Sequence, residues 1–185
     1  MESLSYVFRV SPNTISEIVR ETCTAIWTVL KNSAFPHLMR EGWCAHARTF
    51  EEKWNFPHCI GAADAKVVLI QATAPPNSGS AYYTYKQRFG INVMAIADAH
   101  YRFIIVDMDA LGRRKDGGVF KESTMGQRFE QSSLQVPVPE PVDANGSTLP
   151  YVLAGEKAFP LCSHMMRPYP RHGHLNRNKQ ILITV

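Results

Sequence analysis

No run of apolar residues in this chain approaches the roughly 18 to 20 needed to cross a bilayer. The N-terminus lacks the basic-then-apolar layout of a secretion signal, so a soluble protein that is not secreted is expected. Charge is also sparse: 19% of the 185 residues are charged, and the net excess is +4. That balance is compatible with a polyanionic partner but falls well short of a histone-like tail. The four cysteines, Cys23, Cys44, Cys59 and Cys162, are scattered and form no CxxC pair. His46 and His58 near Cys44 and Cys59 fit no standard zinc-finger spacing, which favours a structural or incidental role for them. The cysteines therefore read as reduced thiols of an intracellular protein. There is no internal repeat, so a solenoid is excluded.

What is present is a hydrophobic content of 45%, enough for a globular core of one ordinary domain with a small appendage. Over 11–30, Ile15, Ile18, Val19, Cys23, Ile26, Trp27 and Leu30 recur at three- and four-residue steps, the spacing of one helix face. Ser11 as N-cap and Pro12 at the first helical position supply its start. A second helix is predicted over 45–53, with Gly42 as a break before it. Beyond Pro57 the pattern changes to short strand-like runs at 66–71, 89–97, 102–107 and 151–154, and a helix over 119–129 precedes the last of them. The step Asp98-Ala99-His100 reads as a tight hairpin connection. Prolines 137, 139, 141 and 150 make 136–150 a long exposed loop. From 163 the chain is polar, with His172 and His174 solvated, and it ends on the apolar stub 181–185.

Three antiparallel strands, a helix and a fourth strand predict an α/β (α+β) chain whose mixed sheet with flanking helices opens like an RNase H-like fold. Such a sheet builds a metal site from carboxylates on its first strand, its fourth strand and a later helix. Asp64, in Ile60-Gly61-Ala62-Ala63-Asp64-Ala65-Lys66, stands at the start of the first predicted strand among small residues that leave room for a metal or phosphate. Glu156 directly follows the fourth run. Asp116 lies in the glycine-rich turn Asp116-Gly117-Gly118 ahead of the helix, where it suits an N-cap, a further metal ligand, or both. Clustered carboxylates suit Mg²⁺ or Mn²⁺, and a pair of such ions can activate water and stabilise the leaving oxygen in phosphodiester cleavage. Each acid also has a plainer reading: Asp64 as an edge residue, Asp116 as a cap, Glu156 as a solvated strand end. The run Arg113-Arg114-Lys115 reads first as solvated surface and second as a contact to a phosphate backbone.

Six ordered stretches resemble the Harbinger family of DDE transposases and its domesticated nucleases. They are Phe8-Arg9-Val10-Ser11-Pro12-Asn13-Thr14-Ile15-Ser16; Phe50-Glu51-Glu52-Lys53-Trp54-Asn55-Phe56-Pro57; Pro75-Pro76-Asn77-Ser78-Gly79-Ser80 with Tyr82-Tyr83 and Tyr85-Lys86; Asp98-Ala99-His100-Tyr101-Arg102-Phe103; Gly112-Arg113 with Asp116-Gly117-Gly118-Val119-Phe120; and Met166-Arg167-Pro168-Tyr169-Pro170. The resemblance spans nearly the whole chain. It implies a helix-turn-helix-like region over 1–57 and an RNase H-like nuclease domain over 58–185. It also implies a divalent metal held by Asp64, Asp116 and Glu156, DNA as substrate, a separate DNA-binding partner protein as an option, no membrane association, and a nuclear location.

The departures carry information too. Where the family has Gly after its first acid this chain has Ala65, and the family's Gly-Asp step is Gly155-Glu156 here. The family continues past Pro168-Tyr169-Pro170 into a helix bearing its final glutamate. This sequence passes instead from Asn178-Lys179-Gln180 into Ile181-Leu182-Ile183-Thr184-Val185. The resemblance therefore leads us to expect an RNase H-like domain incomplete at its C-terminus, with weak or no cleavage by this chain and an apolar sheet face left open. The rival readings are a non-cleaving DNA- or protein-binding module and a gene fragment without function.

Overall fold

Ser11 opens the longest helix in the way its chemistry requires. Its Oγ accepts from the Thr14 N–H at 3.2 Å and Pro12 takes the first helical position. The computed structural model describes residues 2–35, 38–70, 82–84, 87–111, 120–121, 123–143 and 146–169. It divides the chain into two units, 1–37 and 38–185. The first holds α1 (Glu2–Phe8) and α2 (Pro12–Ala34), joined through Arg9 in the left-handed region (φ 52) and packed on each other. Ile15 is the residue of α2 that becomes buried.

The second unit begins with α3 (Arg40–Trp54), which buries Trp43, Ala47 and Phe50 along one face. Gly42 lies inside its first turn rather than breaking it, a correction to the sequence reading. A glycine costs a helix only about 0.5 to 1 kcal/mol, and three buried apolar side chains outweigh that. The helix ends where Asn55 adopts φ 51 and its N–H closes on the Glu51 carbonyl at 2.9 Å.

Three strands follow: β1 (Cys59–Leu69), β2 (Gly90–Ala97) and β3 (Phe103–Leu111). The short helix α4 (Thr124–Glu130), the two-residue strands β4 (Glu140–Pro141) and β5 (Thr148–Leu149), then β6 (Val152–Gly155) and β7 (Met165–Met166) complete the described part. One sheet has the order β3-β2-β1-β6-β7; β1 pairs antiparallel with β2 and parallel with β6, and β6 pairs parallel with β7. This mixed sheet with flanking helices is an α+β, RNase H-like arrangement.

Three differences from the sequence reading have physical causes. β1 starts at Cys59, so Asp64 sits in mid-strand and not at its start; Gly61, Ala62 and Ala63 lack the branched side chains that mark a strand. They are accepted because the neighbouring strands come close, and a Cβ on Gly61 would collide with Ile96 Cγ2. The helix predicted over 119–129 is interrupted at Ser123, whose extended backbone and Oγ cap α4 through the Gly126 N–H at 2.9 Å. The stretch 136–150 is not wholly loop: β4 and β5 pair antiparallel through Glu140↔Leu149 and Pro141↔Thr148.

Bulges set the facing of the sheet. Between β1 and β6 the register steps from Cys59↔Val152 to Gly61↔Leu153, leaving Ile60 as the extra residue. Between β2 and β3 the register shifts twice, each time with the extra residue on β3, and at the shift between Ile96 and Ala97 that residue is Ile104, buried in the core beside the half-buried Ile105. The main core gathers Trp43 and Ala47 of α3, Met94 and Ile96 of β2, Phe120, Met125 and Phe129 around α4, and Leu153, Phe159 and Met165. Phe50, Cys59 and Ala99 form a second cluster.

Trp43 is wholly buried, and its Nε1 donates to the Leu134 carbonyl at 2.7 Å, tying α3 to the segment after α4. Trp43→Ala is expected to lower unfolding free energy by about 3 to 5 kcal/mol. Trp43→Phe, which leaves the carbonyl without its donor, should cost about 1 to 3 kcal/mol. Urea unfolding of the purified chain measures both.

Candidate functional site

The sheet's two central strands position the predicted acids. The parallel β1–β6 ladder pairs Ala62 with Ala154 and Ala63 with Gly155, so Asp64 and Glu156 are the next residues along two neighbouring strands. Asp64 is exposed on the face shared by Ala62 and Lys66, opposite the buried Ala63, and it pairs across to Ala95 of β2. Its Oδ1 accepts the Ala65 N–H at 2.7 Å. Its neighbours on the same face include the small Ala62 along the strand and Ala95 across it.

Glu156 is exposed just past the end of β6, where its carbonyl accepts the Phe159 N–H at 3.0 Å in a turn. Gly155 before it is needed without a side chain, since a Cβ there would meet Met165 Sδ at 2.8 Å and Phe159 Cγ at 3.0 Å. The third predicted acid, Asp116, lies outside the described residues together with Arg113, Arg114 and Lys115. Among the described residues no group of three or more His, Cys, Asp or Glu is gathered tightly enough to hold a metal.

Sequence reasoning saw the turn at Asp98 but missed what Asp98 does. Its side chain is almost entirely buried and collects four donors. Oδ1 accepts from the N–H groups of His100 (2.8 Å) and Arg102 (2.9 Å), and Oδ2 from Nε (2.9 Å) and Nη2 (2.8 Å) of Arg102. Burial works against its charge, yet the hydrogen bonds from Arg102 and His100 prevail and hold the carboxyl below the usual range. The signal available was an Asp two and four residues ahead of the backbone it caps, with Arg as its ion-pair partner. Asp107 was also missed: its Oδ2 accepts the Met125 N–H at 3.2 Å, helping to start α4.

Two histidines are driven the other way. Burial lowers the pKa of His46 and of His164, the latter stacked on Phe129 with centroids 5.7 Å apart. The cysteines are all free, and burial pushes the Cys59 thiol up to about 11, while its Sγ donates to the Gly61 carbonyl at 3.6 Å. His58 stacks on Tyr151 at 4.3 Å, His46 meets Trp43 edge-on and Cys59 lies in the second core cluster, so these three are engaged in packing.

Adjoining acids beside the parallel central pair of such a sheet mark an RNase H-like domain. Comparison with known proteins takes this further: the chain belongs to the DDE superfamily endonuclease family, whose model matches residues 64–183, beginning at Asp64 itself. A relative described as "Protein ALP1-like" from Arabidopsis thaliana is 24% identical over 120 residues, covering 65% of this chain. The match spans 29% of that relative's own length. No solved structure matches the chain. DDE superfamily endonucleases are in general divalent-metal dependent. Among the described residues no helix is long and apolar enough to cross a membrane.

The buried ionisable groups predict a two-stage response to acid. His46 and His164 have folded pKa values below their unfolded value of about 6.5, so the stability they confer is present above that pH and lost as pH falls below it. Asp98, also depressed, adds stability above about pH 4 that is lost as pH falls through its folded value. Urea midpoints measured from pH 7.5 to 3 should fall in both windows. His164→Gln should flatten the upper limb, and Asp98→Asn the lower one while costing about 2 to 4 kcal/mol at neutral pH.

Proposed function

We propose that the chain carries the core of a Harbinger-type, transposon-derived DNA endonuclease, in which Asp64, Glu156 and Asp116 hold Mg²⁺ or Mn²⁺. The observation carrying this reading is the β1–β6 register, which sets Asp64 and Glu156 at neighbouring positions. Carboxylate oxygens are the donors that hard divalent cations take, and the small Ala62 and Ala95 beside Asp64 leave space for a phosphate. When bound, such a cation lowers the pKa of water and neutralises charge on a phosphodiester. The chain's own residues orient the site: Asp64 is fixed on the central strand, Gly155 lets Glu156 turn out over Phe159, and Lys66, on the face of Asp64, offers a cation to the phosphate backbone.

In this reading the region 1–57 serves as a helix-turn-helix-like DNA contact, with Asn13, Thr14, Ser16 and Glu17 near the start of α2. The protein acts in the nucleus, where its substrate resides, and a separate DNA-binding protein can supply target choice. A second reading, a module that binds DNA without cutting, is favoured by the lack of a three-carboxylate group among the described residues.

Supercoiled plasmid incubated with Mg²⁺ or Mn²⁺ separates them. Nicking that disappears with EDTA and falls at least about 100-fold in Asp64→Asn and in Glu156→Gln supports the nuclease. Plasmid retained in a gel shift by wild type and both variants, with no nicking under either metal, would replace it with the binding module.

A further inference from the structure

The connection between β2 and β3 and the end of α3 form an exposed patch of aromatic rings and cations that the carboxylates do not use. Tyr101 is 74% exposed at the hairpin tip, Phe103 60% and Trp54 40%. Rings this large left facing water are ordinarily unfavourable. Tyr101 in addition sits at φ 63, a region better suited to glycine or asparagine.

These rings are nonetheless held firmly. Trp54 Nε1 donates to the Ala99 carbonyl at 3.2 Å, and the Trp54 and Tyr101 rings meet edge to face with centroids 6.1 Å apart. The Lys53 ammonium lies 5.8 Å from the Trp54 centroid and 5.7 Å from that of Tyr101, with His100 Nδ1 3.3 Å away. Beneath them the buried Asp98 carboxylate fixes the hairpin backbone and the guanidinium of Arg102, whose side chain is itself mostly exposed.

We propose that this patch is a binding site for an unpaired nucleotide of single-stranded DNA, with the base stacked on Tyr101 and the backbone phosphate facing Lys53 and Arg102. An open aromatic face rimmed by cations suits a nucleobase followed by a phosphate, because every base offers a π-face and every linkage a negative charge. A protein-docking core also concentrates Tyr, Trp, Phe and Arg but is depleted of lysine, so Lys53 between the two rings favours the nucleotide. In a duplex the base faces are already stacked, which excludes paired DNA from the Tyr101 ring. Asp98 follows Ala95, the partner of Asp64, by three residues, roughly 10 Å along the strand. Lys53 and Trp54 end α3, which shares the core with Ala63 on the sheet face opposite Asp64, so the patch is a surface separate from the carboxylates. The choice of DNA over other polyanions rests on the endonuclease reading; the stacking geometry does not.

The test is fluorescence anisotropy of a labelled 12-nucleotide oligo-dT titrated with the full chain in EDTA, so that no cleavage intervenes. Tyr101→Ala should weaken binding by roughly 5- to 150-fold and Tyr101→Phe should leave it nearly unchanged. Lys53→Gln should weaken binding and reduce the slope of log affinity against log salt by about 0.7. Tyr101→Asn, which accepts the left-handed backbone, keeps the hairpin folded and should bind as poorly as Tyr101→Ala. Wild-type affinity in Tyr101→Ala or Tyr101→Asn overturns the proposal, as does competition by a duplex or by polyglutamate equal to that of unlabelled oligo-dT. A chain that nicks plasmid but ignores oligo-dT refutes this site alone, whereas one that binds through Tyr101 and never nicks refutes the nuclease alone.

Discussion

Parallel pairing of β1 with β6 joins the segment after α3 to one that follows two further strands, a helix and a small ribbon. A parallel ladder needs such a long connection, and its closure entropy is met by burying Ile60, Leu153, Phe159 and Met165 around it. The extra residue at Ile60 decides which way the strand faces beyond that point. A shift of one position would exchange the two faces, turning Asp64 into the core and Ala63 out to water. The facing of one carboxylate is thus tied to an irregularity four residues upstream.

The glycines show how tightly this centre is packed. Gly61 brings β1 against Ile96 and Leu153, and Gly155 lets β6 pass under Met165 and Phe159. The same economy appears at α4, where Ser123 and Asp107 supply the first N–H groups with acceptors from two different elements.

Much of this could be read from residues alone, for identifiable reasons. The start of α2 was visible because Ser11 and Pro12 are local signals, and β2 because 89–97 is a short run carrying the β-branched Ile91, Val93 and Ile96. The beginning of β1 was hidden: Gly-Ala-Ala carries no strand preference, and only the closeness of the neighbouring strands makes those residues fit. β7 was invisible for a similar reason, being two methionines paired to a strand far away in sequence. The place of Glu156 just past its strand could be read from the residues, whereas Asp64 was expected at the start of β1 and lies in mid-strand, and the burial of Asp98 was not visible. Nothing in a single Asp tells whether the arginine four residues on will fold back over it.

Among the described residues β3 lies at one border of the sheet, and it carries two extra residues within nine. Its outward row of amides and carbonyls therefore changes phase twice along its length. A flat strand from a neighbouring molecule that began to zip along it would lose alignment within a few residues. Despite the exposed Phe103 and Met108, this border is poorly suited to recruiting further copies into a fibril. The bulges that turn Ile104 inward thus also protect the protein from stacking on itself.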